Sequence, residues 1–216
     1  MIDTVIQSML STIAGINGKV EGAFNLRENG QGVERYSTEN IKIVPKKDKP
    51  GIDIFIRPGT RGEQVHIPVV LTQSGLNDLV YNDFFIGEGA DVTIIAGCGI
   101  HNDGCDTTEH DGIHSFKIGK NAHIRYVEKH YGEGTGTGER VLNPTTIVDM
   151  DEGSSCEMEM VQIAGVSSTI RKTEANLGAN AKLLITERLM THDDQKADSD
   201  VVIHLNGAGS SAQVIS

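Results

Sequence analysis

Short segments in which apolar and polar residues alternate recur along the chain, and each follows a turn-like phrase. The clearest examples are residues 92–96, 124–128 and 183–187. A period of two, with many β-branched residues, is typical of strands that bury one face. The pattern therefore predicts a protein built mainly of β-strands.

The turn-like phrase itself repeats five times. It consists of an apolar residue, a glycine or turn pair, an alanine or serine, and then the alternating segment. The copies start 27 to 32 residues apart, at Ile86, Ile118, Met150, Leu177 and, more loosely, Leu205. A recurring period of this size is the signature of a repeat architecture. We expect each repeat to form one coil of a solenoid, with the glycine-rich turns stacked at one corner where positive φ is needed.

Almost no segment between the strands has a helical pattern, so the crossover helices of a doubly wound α/β fold are missing. The best helical candidate covers residues 2–16 and ends near Gly15. Its apolar face comprises Val5, Ile6, Met9, Leu10 and Ile13. We expect this helix to cover an exposed edge or dock a partner. The sequence predicts an all-β fold, a right-handed parallel β-helix (β-solenoid) over residues 21–216, after an N-terminal helix and cap over residues 1–20.

The net charge of the chain and its lack of long apolar runs disfavour some classes of binding partner. The formal net charge is −11, whereas phosphate contacts with nucleic acids need clustered cations. The only basic run is Lys46, Lys47 and Lys49, which is bounded by prolines and predicts a solvated turn. We find no run of about eighteen apolar residues and no recognisable secretory signal. We therefore expect a cytoplasmic protein with no nucleic-acid and no membrane partner.

The residues with metal-binding chemistry concentrate between Gly97 and His114. Thiolate and imidazole ligands favour zinc, copper or iron–sulfur species, whereas calcium and magnesium sites use oxygen. The candidate metal ligands are Cys98, His101, Cys105, His110, His114 and His130, with Glu128 as a carboxylate beside them. Cys98 could instead be a small buried hydrophobic residue.

The cysteine spacing argues against a closed structural zinc site. Cys98 and Cys105 are seven residues apart, no CxxC motif occurs, and Cys156 lies about fifty residues further on. The same spacing disfavours a ferredoxin-type cluster. Three cysteines in a chain of this length fit reduced thiols better than a disulfide framework. We expect Cys156 to be an ordinary strand residue.

Several phrases spread over nearly the whole chain carry a family resemblance. They are NLRENG (25–30), VYNDF (80–84), GCGIHN (97–102), EKHYGEG (128–134), QIAGV (162–166) and GAGSS (207–211). With the repeat and the Cys/His segment, they resemble the SufB/SufD-like scaffold proteins of iron–sulfur cluster assembly (the SUF system), and most of all its short, single-scaffold branch. The resemblance implies a parallel β-helix core and a nascent, transient iron–sulfur cluster. It also implies a SufC-like ABC ATPase, a sulfur donor system and a dimer with itself or a sister scaffold.

The chain departs from that family where it stops, at Ser216. Family members continue through further β-helix turns and a C-terminal segment with a His-Ser-Glu-Cys-like motif and ATPase-docking helices. We therefore expect a C-terminally truncated scaffold, with some cluster ligands and the main ATPase contact outside the sequence. An open strand edge at this end would favour self-association.

Two classes of function stay open. In a scaffold without catalytic activity of its own, Cys98 and Cys105 would hold sulfide or iron, and Glu128 would complete a labile site that the histidines also ligate. In a β-helix lyase or hydrolase, the carboxylates at a groove would be Asp106, Glu109 and Asp111. Sugar grooves normally offer stacking aromatics, and this chain has no Trp and 4% aromatic residues. A left-handed hexapeptide acyltransferase would need a six-residue period, which is not seen.

Overall fold

The chain folds as a β-solenoid in a computed structural model that describes residues 4–216. The elements are α1 (Thr4–Ala14), β1 (Ala23–Glu28), β2 (Gln31–Tyr36), β3 (Ile41–Pro45), β4 (Gly51–Ile56), β5 (Arg61–Leu71), β6 (Asn77–Ile86), β7 (Asp91–His101), β8 (Thr108–Ile118), β9 (His123–Glu133), β10 (Arg140–Leu142), β11 (Thr145–Met150), β12 (Ser155–Ala164), β13 (Ser168–Leu177), β14 (Lys182–Leu189), β15 (Lys196–Leu205) and β16 (Ser211–Ile215). The predicted all-β solenoid class is thereby confirmed.

The strands form two sheets that face each other across the lumen. Sheet A has the order β16-β14-β12-β9-β7-β5-β1-β2, and sheet B the order β10-β13-β11-β8-β6-β4-β3, with β15 on β13. Successive coils pair in parallel, and among the described strands only the hairpins β1–β2 and β3–β4, at the N-terminal end, are antiparallel. Tyr81 pairs with Ile113, Ile113 with Thr145, and Thr145 with Lys172. The register thus reproduces the repeat period seen in the sequence; the right-handed sense of the coil stays a prediction.

The repeated turns stack at one corner, as predicted. Backbone bonds join consecutive copies, with Gly89 N donating to Lys120 O over 2.9 Å and Asn121 N to Glu152 O over 3.1 Å. Each turn has one residue of positive φ, which is glycine or asparagine because these tolerate the left-handed region best. These residues are Gly59, Gly89, Asn121, Gly153, Asn180 and Gly209. The set contains a sixth copy, at Gly59, that the sequence pattern missed because Arg57-Pro58 and Thr60 replace the usual small residues.

The lumen next to this corner is filled with apolar side chains that the strand alternation points inward. Phe84 and Phe116 from neighbouring coils of sheet B stack with centroids 4.4 Å apart, and Tyr126 of sheet A meets Phe116 edge-on. Each large apolar side chain buried in this way contributes about 1.5–3 kcal/mol. Neighbouring coils therefore hold each other through a continuous core.

Helix α1 packs on the outside of the solenoid. Its ends at Thr4 and Ala14 lie within the expected 2–16, and Ile2 lies outside the described residues. It contacts β5, β7 and β9 and so packs on the outer face of sheet A. The close approach is possible because residues 97 and 99 are glycines: a Cβ on Gly97 would lie 2.6 Å from the carbonyl oxygen of Ile13. No helix in the described part of the chain is long and apolar enough to cross a membrane.

We expect Gly97→Ala to lower the free energy of unfolding by about 1–3 kcal/mol, because the added methyl group must push the α1 backbone away from sheet A. Urea unfolding measures this change. Gly18→Ala is the matched control, since a Cβ there meets nothing within 4 Å. Equal stabilities of the two variants would contradict the docking of α1 against β7.

Candidate functional site

The structure divides the seven predicted site residues between two places. Five lie inside the solenoid, in what we call the luminal layer: Cys98, His110, His114, Glu128 and His130. Each of these is at most 4% exposed. The other two lie at the surface. His101 is the last residue of β7, and Cys105 lies in the loop between β7 and β8, which we call the second corner. The sequence cluster is therefore not one site in space.

Strand alternation places the luminal residues. On β8 the inward positions are Thr108, His110, Gly112, His114 and Phe116, and β9 turns Tyr126, Glu128 and His130 inward in the same way. The register then aligns Cys98 with His130, and His130 with Gln162, on adjacent strands of sheet A. Successive coils thus stack polar side chains in the middle of the lumen, beside the apolar core.

The luminal layer is centred on a buried ion pair between Glu128 and Arg171. Arg171 Nη1 lies 2.5 Å from Glu128 Oε2, and neither residue is more than 1% exposed. Burial alone would raise the pKa of Glu128, but Arg171, followed by His130 and His114, outweighs it and holds that pKa well below its usual value. Glu128 is therefore ionised at neutral pH. Arg171 was missed by the sequence analysis, because it occupies an ordinary alternating position of β13.

A chain of hydrogen bonds starting at Glu128 fixes the tautomer of His114. The hydroxyl group of Tyr126 donates to Glu128 Oε1 over 2.9 Å, so it can only accept from His114 Nδ1, which lies 2.7 Å away. Nδ1 therefore carries the proton and Nε2 presents a lone pair. Burial lowers the pKa of His114 to about 4, so the imidazole is neutral at pH 7. The amide nitrogen of Asn82 lies 3.4 Å from Nε2, in the position of a weak donor.

His110 is oriented in the same sense by a second carboxylate. Its Nδ1 lies 3.0 Å from Asp78 Oδ2, and Asp78 also accepts hydrogen bonds from Nε and Nη2 of Arg27, with Nη2 2.5 Å from Oδ1. Burial would raise the pKa of Asp78, but the bonds from Arg27 and His110 lower it strongly, so the carboxylate is ionised. An ionised acceptor requires the His110 proton on Nδ1. A carboxylate that orients imidazole in this way is the usual outer partner of a metal-binding histidine.

The two Nε2 atoms border the same small space. A Cβ on Gly112, between the two histidines on β8, would lie 3.3 Å from His114 Nε2 and 3.4 Å from His110 Nε2. Any other residue at position 112 would fill that space. Glycine here therefore leaves the Nε2 atoms of two imidazole rings beside a common space inside the lumen.

Cys98 and His130 are the remaining two residues of the luminal layer. His130 Nε2 lies 3.7 Å from Glu128 Oε2, but burial lowers the pKa of His130 to about 3, so this contact is polar rather than ionic at neutral pH. Burial, followed by the charge of Glu128, raises the pKa of the Cys98 thiol well above its usual value. The thiol stays protonated until a metal ion or another cation replaces its proton.

Several buried polar atoms in and next to the luminal layer have no hydrogen-bonding partner in the part of the protein that the structure describes. Among the described residues, those without a hydrogen-bonding partner include His110 Nε2, His130 Nδ1, Gln162 Oε1, Arg171 Nε and Nη2, and the hydroxyl groups of Thr146 and Thr173. Each unmet buried group costs about 1–3 kcal/mol, so a polar guest or ordered water in the lumen is favoured. Within residues 4–216, however, no three His, Cys, Asp or Glu side chains are close enough together to hold a metal ion. The layer therefore offers partial rather than complete ligation.

The second corner clamps His101 between carboxylates. Nδ1 lies 3.0 Å from Glu133 and Nε2 2.9 Å from Asp103, and these bonds raise the pKa of His101 although its burial opposes the shift. Both ring nitrogens are thus engaged. The glycine-rich segment 132–138 stacks on this loop, with Gly136 N donating to Asn102 O over 3.1 Å. Cys105 in the loop is exposed.

The carboxylates of the alternative enzyme hypothesis lie outside the lumen. Glu109 and Asp111 alternate with His110 and so occupy the outer face of sheet B, whereas Asp106 lies in the exposed corner loop. Burial, followed by the charge of Asp111, raises the pKa of Glu109. Glu109 is also held by the amide of Asn143 over 2.9 Å.

The sequence of the chain matches no protein-family model and no curated protein.

We expect the free energy of unfolding to fall as the pH is lowered from 7 to 5. His114 and His130 have folded pKa values depressed to about 4 and about 3, below the ordinary 6.5. Between these values the unfolded chain binds protons that the folded chain does not, and each such histidine contributes a slope of at most about 1.4 kcal/mol per pH unit. Urea unfolding at several pH values, in the parent and in His130→Gln, tests this. The variant should show the shallower pH dependence, and identical slopes would refute the buried neutral state of His130.

Proposed function

We propose that the protein is a scaffold on which iron–sulfur clusters are assembled, as its resemblance to SufB/SufD-like proteins implies. The observation that carries the proposal is the luminal layer, where one thiol, three imidazoles and an ionised carboxylate are buried on neighbouring coils and the Nε2 atoms of His110 and His114 border one space. These donor types suit iron and sulfide. Calcium or magnesium sites, in contrast, would be built from oxygen ligands alone.

The incomplete ligand set fits a transient cargo better than a permanent cluster. A nascent cluster must be bound and then released, so a site with few strong protein ligands favours transfer. In this scheme the lone pairs of His110 and His114 bind iron, and Cys98 loses its proton when the metal arrives. Sulfide from a sulfur donor system would supply the remaining ligands.

The energy source and the partners follow from the same resemblance. We propose that a separate SufC-like ABC ATPase drives the cycle, that the complex is cytoplasmic, and that the chain has no enzymatic activity of its own. Cys105, exposed at the second corner, would meet incoming sulfur or iron, while Cys98 acts inside. The burial of Cys98 and the exposure of Cys105 support this division of roles.

Self-association is the third part of the proposal. Strands β15 and β16 each pair on one side only, and their exposed apolar residues include Val202, Leu205, Val214 and Ile215. Free backbone donors and acceptors next to apolar side chains favour pairing with another strand edge. We therefore propose a dimer formed through the β15–β16 end of the solenoid.

Cys98→Ser should reduce the iron and sulfide bound after anaerobic reconstitution by at least half. The change nearly keeps the size of the side chain but removes the soft ligand. Iron and sulfide assays with absorption spectra measure the effect, and circular dichroism verifies that the variant is folded.

Cys156→Ser is the matched control, because Cys156 is also buried in a strand of sheet A, at 1% exposure, and burial raises its pKa to about 12. It lies in the apolar core away from the luminal layer, so its substitution should leave iron uptake unchanged. A Cys98→Ser, Cys105→Ser double variant that takes up as much iron and sulfide as the parent would overturn the assignment.

Ala212→Pro should weaken the proposed dimer. Ser211 N donates to Ala181 O, so the next amide, that of Ala212, points to the free side of β16. Proline removes this donor without breaking the β14–β16 ladder. Sedimentation velocity should show the parent as a dimer and the variant shifted toward monomer, with Gln213→Ala as a control that keeps every backbone donor. A parent that stays monomeric at high micromolar concentration would contradict the dimer.

A further inference from the structure

A cavity of about 350 Å³ opens at the N-terminal end of the solenoid, between the β1–β2 hairpin and the segment that joins β3 to β4. Its floor consists of luminal side chains of the first coils, including Ile52, Ile67, Val80 and Asn82. We call this cavity the N-terminal mouth. Since Asn82 also contacts His114, the mouth ends directly above the luminal layer.

The lining of the mouth is cationic, although the protein as a whole is strongly acidic. Arg27, Arg35, Lys46 and Lys49 line it, and none of the described Asp or Glu residues does. The formal net charge of the whole chain is −11. A concave surface lined by one sign of charge concentrates ions of the opposite sign.

Two of the four cations are held in place by carboxylates behind them. Arg27 binds Asp78, and Lys46 bridges Asp53 and Asp83, the latter at 2.7 Å. The Lys46 side chain is only 6% exposed, so the expectation of a solvated turn is wrong at this residue. These ion pairs neutralise most of the charge of Lys46 and of Arg27. They also hold both side chains in fixed positions at the edge of the cavity.

The other two cations keep free donors. Arg35 uses only Nε, which donates to Asn25 Oδ1 over 2.8 Å, so both of its Nη groups are available. Lys49 Nζ lies 4.1 Å from the centre of the Tyr81 ring and makes no hydrogen bond within the described residues. Arg27 adds Nη1, because its bonds to Asp78 use Nε and Nη2. Several N–H groups from three side chains therefore line one cavity.

The structure assigns to the N-terminal mouth a binding site for a small oxyanion of the phosphate class, held by Arg35, Lys49 and the free Nη1 of Arg27. Guanidinium and ammonium donors are the groups that recognise phosphate oxygens. Carboxylates line no part of the cavity, so an anion there meets no like charge directly. The site goes beyond the proposed scaffold function and does not depend on it.

The test uses the full chain and inorganic phosphate. Calorimetric titration at constant ionic strength, with chloride as the balancing ion, should show saturable binding of one phosphate per chain. The double variant Arg35→Gln, Lys49→Gln should bind at least 10-fold more weakly. Adenosine monophosphate is titrated in parallel to distinguish a free phosphate from a phosphate ester.

The charge-matched control is Lys120→Gln, Arg125→Gln, whose side chains are 58% and 55% exposed on surfaces away from the mouth. It should bind phosphate as the parent does. Tighter binding of the monophosphate than of phosphate would support the site and identify an ester as the preferred form. Absence of saturable binding to both ligands, or an equal loss in the two double variants, would overturn the proposal.

Discussion

The structure depends on the buried ion pair between Glu128 and Arg171. Two charges inside a narrow solenoid are tolerated only if they are paired, and removal of one partner from such a pair typically costs about 3–5 kcal/mol. Their contact joins sheet A to sheet B in the middle of the lumen. It therefore supports the fold and sets the electrostatics of every group around it.

The properties of the luminal layer follow from that pair. Because Glu128 is ionised and accepts from Tyr126, His114 must direct its Nε2 lone pair away from them. Asp78 imposes the same orientation on His110 from the N-terminal side. The lumen thus changes along the sheet from an apolar core to a polar interior with oriented lone pairs, and its N-terminal end opens into a cationic mouth. Binding chemistry is located where neighbouring coils bring charges together.

The sequence predicted the coil period and the stacked corner because both depend on local patterns. These patterns are the alternation of apolar and polar residues in the strands and the turns that need glycine or asparagine. It could not place the site. Cys98 and Cys105 are close in sequence, but a strand points one inward and a loop exposes the other. Arg171 lies far from the Cys/His segment in sequence and meets Glu128 only through coil stacking. The sequence does contain a sign of the luminal layer, because polar residues such as His110 and His114, on either side of Gly112, occupy inward positions of the alternation. This sign can be recognised only once the register between the strands is known.

The central claim is that His114 is neutral and that His110 and His114 both carry a proton on Nδ1 and turn Nε2 toward a common space. A long-range ¹H–¹⁵N correlation spectrum of the histidine rings tests it directly. At pH 7.5 we expect a proton on Nδ1 of both His110 and His114, and none on Nε2 of His114. We expect added zinc, as a diamagnetic probe, to shift the Nε2 signals of these two residues before those of the other histidines. A proton on Nε2 of His114, an Nδ1 without a proton in either residue, or Nε2 signals that zinc leaves unchanged would contradict the account.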